Sequence, residues 1–149
     1  RAGSCSAEAY FDLRAGLDLL AIFAHPFRPG RTADLIDPVL YTRFDAVGLN
    51  ARDLYFHGAT LLYQTRRFAD AHGLPVVAGS DAHHHLQLGS VHNAFDVGDG
   101  GAIGRVGDLR TAIREGRYTI HVHEAIYGKV AAARRAKQRI KEALTRVGL

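Results

Sequence analysis

The sequence contains no methionine and no tryptophan, a single cysteine and four prolines in 149 residues. One cysteine, Cys5, cannot close an internal disulfide, which points to a reducing compartment. No motif around Cys5 marks it as a nucleophile. No apolar run is long enough to span a bilayer: the longest, around Leu19 to Phe23, is strand-sized. The stretch from Arg1 to Tyr10 lacks the basic start and long apolar core of a secretory signal. These absences predict a cytoplasmic location with no membrane partner. A chain that begins at Arg1 and has no methionine anywhere is expected to be a piece of a longer protein.

What is present suits one domain or a large part of one, spanning residues 1–149. Hydrophobic residues make up 47% of the chain, enough for a real core. The net charge is +4, unevenly spread. From Lys129 onward, Arg134, Arg135, Lys137, Arg139, Lys141 and Arg146 add to that lysine against one acid, Glu142. Such a tail can hold a phosphate-rich partner or can be a solvated helix face.

Apolar patterning predicts strands alternating with helices. Leu19 to Ala24 reads as a strand buried on both faces, stopped by Pro26 and by Pro29-Gly30. Thr32 or Asp34 is expected to cap a short helix ending by Pro38, resuming from Val39 to Arg43. Ala46 to Asn50 reads as a second strand and about Arg52 to His72 as a long helix closed by Gly73. Leu74 to Ala78 is a third strand and Ser90 to Val97 a fourth. Gly98 to Gly107 is a loop; it lacks the ending of a nucleotide-cradling loop. Asp108 is expected to cap a helix from Leu109 to Glu115. Tyr118 to His123 alternates like a strand, and about 125–147 forms a long amphipathic helix. This order predicts an α/β layered or barrel architecture.

In such folds functional groups gather where strands end. The first strand delivers His25 and the third delivers Asp81 and His83. If these strands are neighbours in one sheet, the three side chains converge. Imidazole nitrogens with a carboxylate suit zinc, manganese or iron, and such an ion supplies hydroxide at neutral pH. On extended chain, Asp81 and His83 face the same way.

Ala24-His25-Pro26-Phe27-Arg28 and Leu74-Pro-Val-Val-Ala-Gly-Ser-Asp-Ala-His83 resemble the two late motifs of the PHP family, the polymerase and histidinol phosphatase domains. The strand from Asp45 to Asn50, Leu88-Gly89 and the helix from Asp108 to Arg117 follow in the same order, so the resemblance covers about 19–117. It implies the C-terminal part of a distorted (β/α)7 barrel, followed by the long C-terminal helix, with a cluster of up to three divalent metals. It makes His25 the late-strand metal ligand and Asp81 with His83 the final ligand pair, with Ser80 beside them. The activity it implies is metal-dependent phosphoester hydrolysis of a phosphorylated small molecule or a nucleic-acid end. The family's early His-x-His pair and bridging glutamate have no counterpart before His25. Gly48 stands where family members often carry a glutamate, and Asn50 and Asp53 lie nearby without a role.

Arg28 could clamp a phosphate oxygen with its planar fork, or be a surface arginine. His121 and His123 read as an exposed or helix-capping pair, His84 and His85 as a polar loop, His92 as structural, and His57 and His72 as solvent-facing or helix-ending residues. Two other functions remain open: a catalytically inactive PHP-like module that binds metal or a partner, and nucleic-acid binding through the basic terminal helix. The long last helix could also pack on a second copy of the chain.

Overall fold

The computed structural model describes residues 6–14, 16–28, 31–32, 36–99 and 101–146. Cys5, Pro29, Gly30 and Asp34 lie outside them.

Three short apolar segments form the central parallel sheet: β1 (Ile22–Ala24), β4 (Ala46–Asn50) and β5 (Val76–Gly79), in the order β1-β4-β5. Phe23 pairs with Val47, and Val47 with Val76. The first and third apolar strands are therefore not neighbours, the arrangement on which convergence of their ends was expected to rest. The second lies between them. Being parallel, all three still end on the same edge, so the convergence survives the correction.

Both faces of this sheet are covered, which is why its strands read as near-continuous apolar runs. On one side Phe23, Tyr41, Val47 and Ala69 pack together, with Phe44 and Phe68 against them. On the other, Ala46, Val77 and Ile113 join Leu20, Leu109 and Tyr118. Burying each large apolar side chain contributes roughly 1.5–3 kcal/mol relative to exposure.

The long helix α2 (Ala51–His72) begins directly at the end of β4. Asn50 caps it, its side chain accepting from the Asp53 amide. Gly73 ends it at φ 62°, the left-handed conformation that a residue with a Cβ resists. Gly58, at φ 54°, kinks it. The β4-α2-β5 crossover brings the chain back parallel, as an α/β sheet requires.

Elsewhere the outcome differs in detail. Helix α1 spans Ala7–Arg14. Thr32 lies in β3 (Arg31–Thr32), paired antiparallel with β2 (Phe27–Arg28), and the residues its expected helix would begin with, 33–35, lie outside the described residues. The following helical segment is a 3-10 helix, Pro38–Arg43, capped by Asp37, whose carboxylate accepts from the Val39 amide at 3.0 Å. Helix α3 (Val106–Arg114) starts three residues earlier than the Asp108 cap implied. Asp108 sits inside its first turn and accepts instead from the Arg105 amide at 3.1 Å.

Strands β6 (Val91–Phe95) and β7 (Tyr118–Val122) form an antiparallel pair. Helix α4 (Ile126–Arg146) packs its first turns, Ile126 and Val130, on Ala51 and Val91. Further along, Ile140 and Leu144 are exposed. The result is a mixed α/β fold with a small parallel sheet; no closed barrel forms among the described residues. Among the same residues no helix is long and apolar enough to cross a membrane.

Candidate functional site

The C-terminal edge of the parallel sheet collects the polar side chains. His25 follows β1, Asn50 ends β4, and Asp81 follows β5 by two residues. His25 and Asp81 have φ of 58° and 48°, and no other described residue besides glycine has positive φ. A left-handed backbone costs a non-glycine residue roughly 1–2 kcal/mol, and such strain concentrates at functional sites. His25 also precedes Pro26, which narrows its backbone choices further.

The geometry is compact. His25 Nε2 lies 3.5 Å from Asp81 Oδ1. The Arg28 guanidinium forks onto Asp53, with Nε to Oδ1 at 3.1 Å and Nη2 to Oδ2 at 3.2 Å. Its Nη2 also donates to Asp81 Oδ2 at 2.6 Å and to Asn50 Oδ1 at 3.2 Å. Asp53 is 4% exposed overall, so its charge depends on these partners. Burial alone would lower the Arg28 pKa, but hydrogen bonds to Asp81 and Asp53, with their charges, outweigh it and raise it. Arg28 stays cationic. Among the described residues two carboxylates, Asp53 and Asp81, share one guanidinium, with the His25 ring 3.5 Å from Asp81.

Asn50 organises the group. Its Oδ1 accepts from the Asp53 amide at 2.9 Å as well as from Arg28, and its Nδ2 donates to Asp53 Oδ2 at 2.6 Å. These partners fix which end of the amide faces His25. It is Nδ2, 2.9 Å from His25 Nδ1. Because Nδ2 can only donate, His25 Nδ1 accepts and the ring proton of the neutral tautomer sits on Nε2, toward Asp81.

Whether a divalent metal fits can be judged from these donors. Two ligands each about 2.1 Å from a tetrahedral ion lie roughly 3.4 Å apart. The 3.5 Å between His25 Nε2 and Asp81 Oδ1 matches that edge, and the carboxylates of Asp81 and Asp53 suit a cation. A complete set is not there: among the described residues no group of three or more His, Cys, Asp or Glu side chains is arranged to hold a metal. His83, expected to complete the pair with Asp81, turns outward. Its side chain is 63% exposed and its Nδ1 lies 2.9 Å from the Asp81 carbonyl and 4.0 Å from the Asp81 carboxylate.

Asn50 and Asp53 are the participants that residue-by-residue reading left without roles. The available signal was Asn50-x-x-Asp53 at a strand-to-helix junction, a capping pattern that places both side chains at the sheet edge. Ser80 ties β5 to β6 by donating to the Val91 carbonyl at 3.2 Å. His123 Nδ1 accepts from the Ala125 amide ahead of α4, and exposed His121 stacks on exposed His92 with ring centroids 5.3 Å apart. His84 accepts from the Leu86 amide. His57 is exposed, whereas His72 is half-buried against the Tyr41 and Phe68 rings rather than facing solvent.

Comparison with known proteins agrees with this frame. The chain is similar in structure to the crystal structure of PsfC from Pseudomonas syringae PB-5123, with a TM-score of 0.74 and 20% identity over 93% of this chain. It spans about half of that structure's length, 54%. No curated protein matches the sequence. A family model described as PHP-associated matches residues 62–118, from within α2 through β5 and the Asp81 motif to the start of β7. Residues 62–118 are thus similar to a PHP-associated segment, consistent with the C-terminal portion of a PHP-family protein.

Proposed function

We propose that this chain carries the late half of a metal-dependent phosphoesterase site of the PHP type, within the C-terminal part of a distorted (β/α)7 barrel. The carrying observation is the approach of His25 and Asp81 to 3.5 Å on strained backbones at the carboxyl edge of the sheet. His25 and Asp81 would hold a divalent ion, and His83 would join them by rotating inward. The ion, zinc, manganese or iron, supplies hydroxide at neutral pH when bound. The chain's own residues bind and orient: Arg28 neutralises a phosphate oxygen, Asp53 holds its guanidinium, and Asn50 fixes the His25 ring. Further ligands come from outside the described residues.

A second reading has its own support. Arg28 already lies between Asp53 and Asp81, where a cation would sit, and the Asn50 amide keeps the ring proton on His25 Nε2. Both features suit a metal-free, catalytically inactive PHP-like module that binds phosphorylated ligands.

Manganese titration, followed by the loss of the free-ion electron paramagnetic resonance signal, separates the two. The phosphoesterase reading expects saturable uptake that disappears in His25→Ala and Asp81→Asn, with metal-dependent hydrolysis of an aryl phosphate. No uptake, with phosphate binding that still requires Arg28, would favour the inactive module.

A further inference from the structure

Beside the site lies a cavity of about 290 Å³ lined by Arg28, Arg52, His83, His84, Gln87, Ala133, Arg134 and Lys137. Arg28 and His83 belong to the site itself, so the two share a wall. The far wall is cationic. Arg134 and Lys137 lie one turn apart on the same face of α4, and Arg52 lies in the first turn of α2.

These three cations have no carboxylate partner among the described residues. The Arg52 and Arg134 guanidiniums instead lie over the ring of one residue, Phe56, at 5.7 and 4.7 Å from its centroid. An aromatic face holds a cation in place without neutralising it. The larger cavity lined by Arg14, Arg43, Arg110 and Arg114 is also basic, but Asp45, Asp12 and Asp18 already pair those arginines. Of these two cavities, the one beside the site presents unpaired positive charge to a ligand.

Resting on the phosphoester reading of the site, we infer that its substrate is a small molecule carrying a second anionic group, a phosphate or a carboxylate, seated against Arg52, Arg134 and Lys137 while the phosphoester lies at Arg28. The volume favours a small molecule over a polymer, since it is near the lower limit of ordinary ligand sites. Charge-assisted hydrogen bonds from guanidinium and ammonium donors to such a group supply the recognition. This role also gives the basic second half of α4 a use that solvation alone does not.

Isothermal titration of the chain with three probes tests this: glycerol phosphate, which has one anionic group, phosphoglycerate, and propanediol bisphosphate. At least one of the two doubly anionic probes should bind about tenfold more tightly than glycerol phosphate or better. Which one gains more tells carboxylate from phosphate. In Arg134→Gln with Lys137→Gln, both substitutions at exposed positions, the ratio should fall to about twofold or less. An equal affinity for all three probes, or a preference unchanged in the double variant, would overturn the inference alone. A single-stranded oligonucleotide that outcompetes the small probes, with affinity falling steeply with salt, would overturn it in favour of a polymer. Failure of glycerol phosphate to bind, or binding that ignores Arg28→Gln, would sink the phosphoester reading and this inference with it.

Discussion

The two ends of the parallel sheet each hold a buried cluster of arginine and aspartate, and the clusters are built oppositely. At the amino edge one carboxylate, Asp45, with its side chain 1% exposed, receives Arg14, Arg110 and Arg114 and the Ala21 amide. Each of these arginines has a carboxylate partner, Arg110 pairing Asp18 as well, and Asp45 precedes β4 without positive φ. At the carboxyl edge two carboxylates share one arginine among the described residues, and two residues are held in left-handed conformations. The first arrangement saturates its carboxylate with donors from α1 and α3 and so fastens those helices to the sheet. The second sets two carboxylates around one guanidinium and spends backbone energy to aim one of them. The same ion-pair chemistry thus serves structure at one edge and prepares a binding site at the other.

Neutralising one aspartate at each end should separate the two sharply. Asp45→Asn takes the carboxylate from Arg14 and Arg114, while Arg110 keeps Asp18, and a loss of about 3 kcal/mol is expected. Asp81→Asn should cost only about 1 kcal/mol, because Asp53 still pairs Arg28 and asparagine tolerates positive φ. Urea midpoints of the two variants measure this. Similar losses at both ends would mean that the carboxyl edge is as structural as the amino edge.

The next largest effect concerns metal rather than stability. Histidines that ligate metals usually donate their second ring N–H to a carboxylate or carbonyl, and losing such a partner commonly costs 10- to 100-fold in affinity. Here His25 Nδ1 faces an amide donor. Asn50→Asp keeps a side chain able to cap α2 and would let Nδ1–H donate, freeing Nε2. Manganese affinity should rise about tenfold on that basis. An unchanged or weaker affinity, with helix content intact by circular dichroism, would show that the tautomer is not what limits the site.

Much of this frame is legible in the amino-acid sequence itself. The strand Ala46 to Asn50 appears at the bounds its apolar run suggested, because a segment buried on both faces has little freedom to be anything else. The positions of His25 and Asp81 were legible because His25 directly follows β1 and Asp81 follows β5 by two residues. The amino-edge cluster was not: Arg14, Arg110 and Arg114 are far from Asp45 in sequence, and no local pattern ties them together. The role of Asn50 was hidden for a related reason, since its polar contacts bridge β1, β4 and α2 and exist only once the crossover has formed. The outward turn of His83 was hidden as well. The i, i+2 rule assumes extended backbone, and the positive φ of Asp81 breaks it.

That backbone feature gives a smaller, cleaner contrast. His25→Gly and His25→Ala remove the same imidazole and the same hydrogen bond, so their difference isolates the left-handed conformation. The glycine variant should be the more stable by about 1 kcal/mol. A control at the ordinary amino edge, Ala46→Gly, should be destabilising instead, by roughly 0.5–1 kcal/mol from glycine entropy plus the loss of a buried methyl. Thermal or urea unfolding of the three variants reads both signs.

The smallest effect lies at the amino edge and concerns pH. Tyr118 on β7 donates its hydroxyl to the carbonyl of Val76, the first residue of β5, at 2.6 Å. Burial raises its phenol pKa above the ordinary value. The folded state therefore favours the protonated phenol more than the unfolded chain does. The resulting stability is present in full below the unfolded pKa of about 10 and is lost as pH rises through the raised folded value. Tyr118→Phe should be less stable than the parent by about 1 kcal/mol near neutral pH, through the lost hydrogen bond. Above about pH 10 the difference should shrink, because only the parent carries this titration. The other five tyrosines are common to both chains and cancel in the comparison. A difference that stays constant into the alkaline range would mean that Tyr118 titrates alike folded and unfolded. In that case the amino edge would draw nothing from proton linkage at this residue.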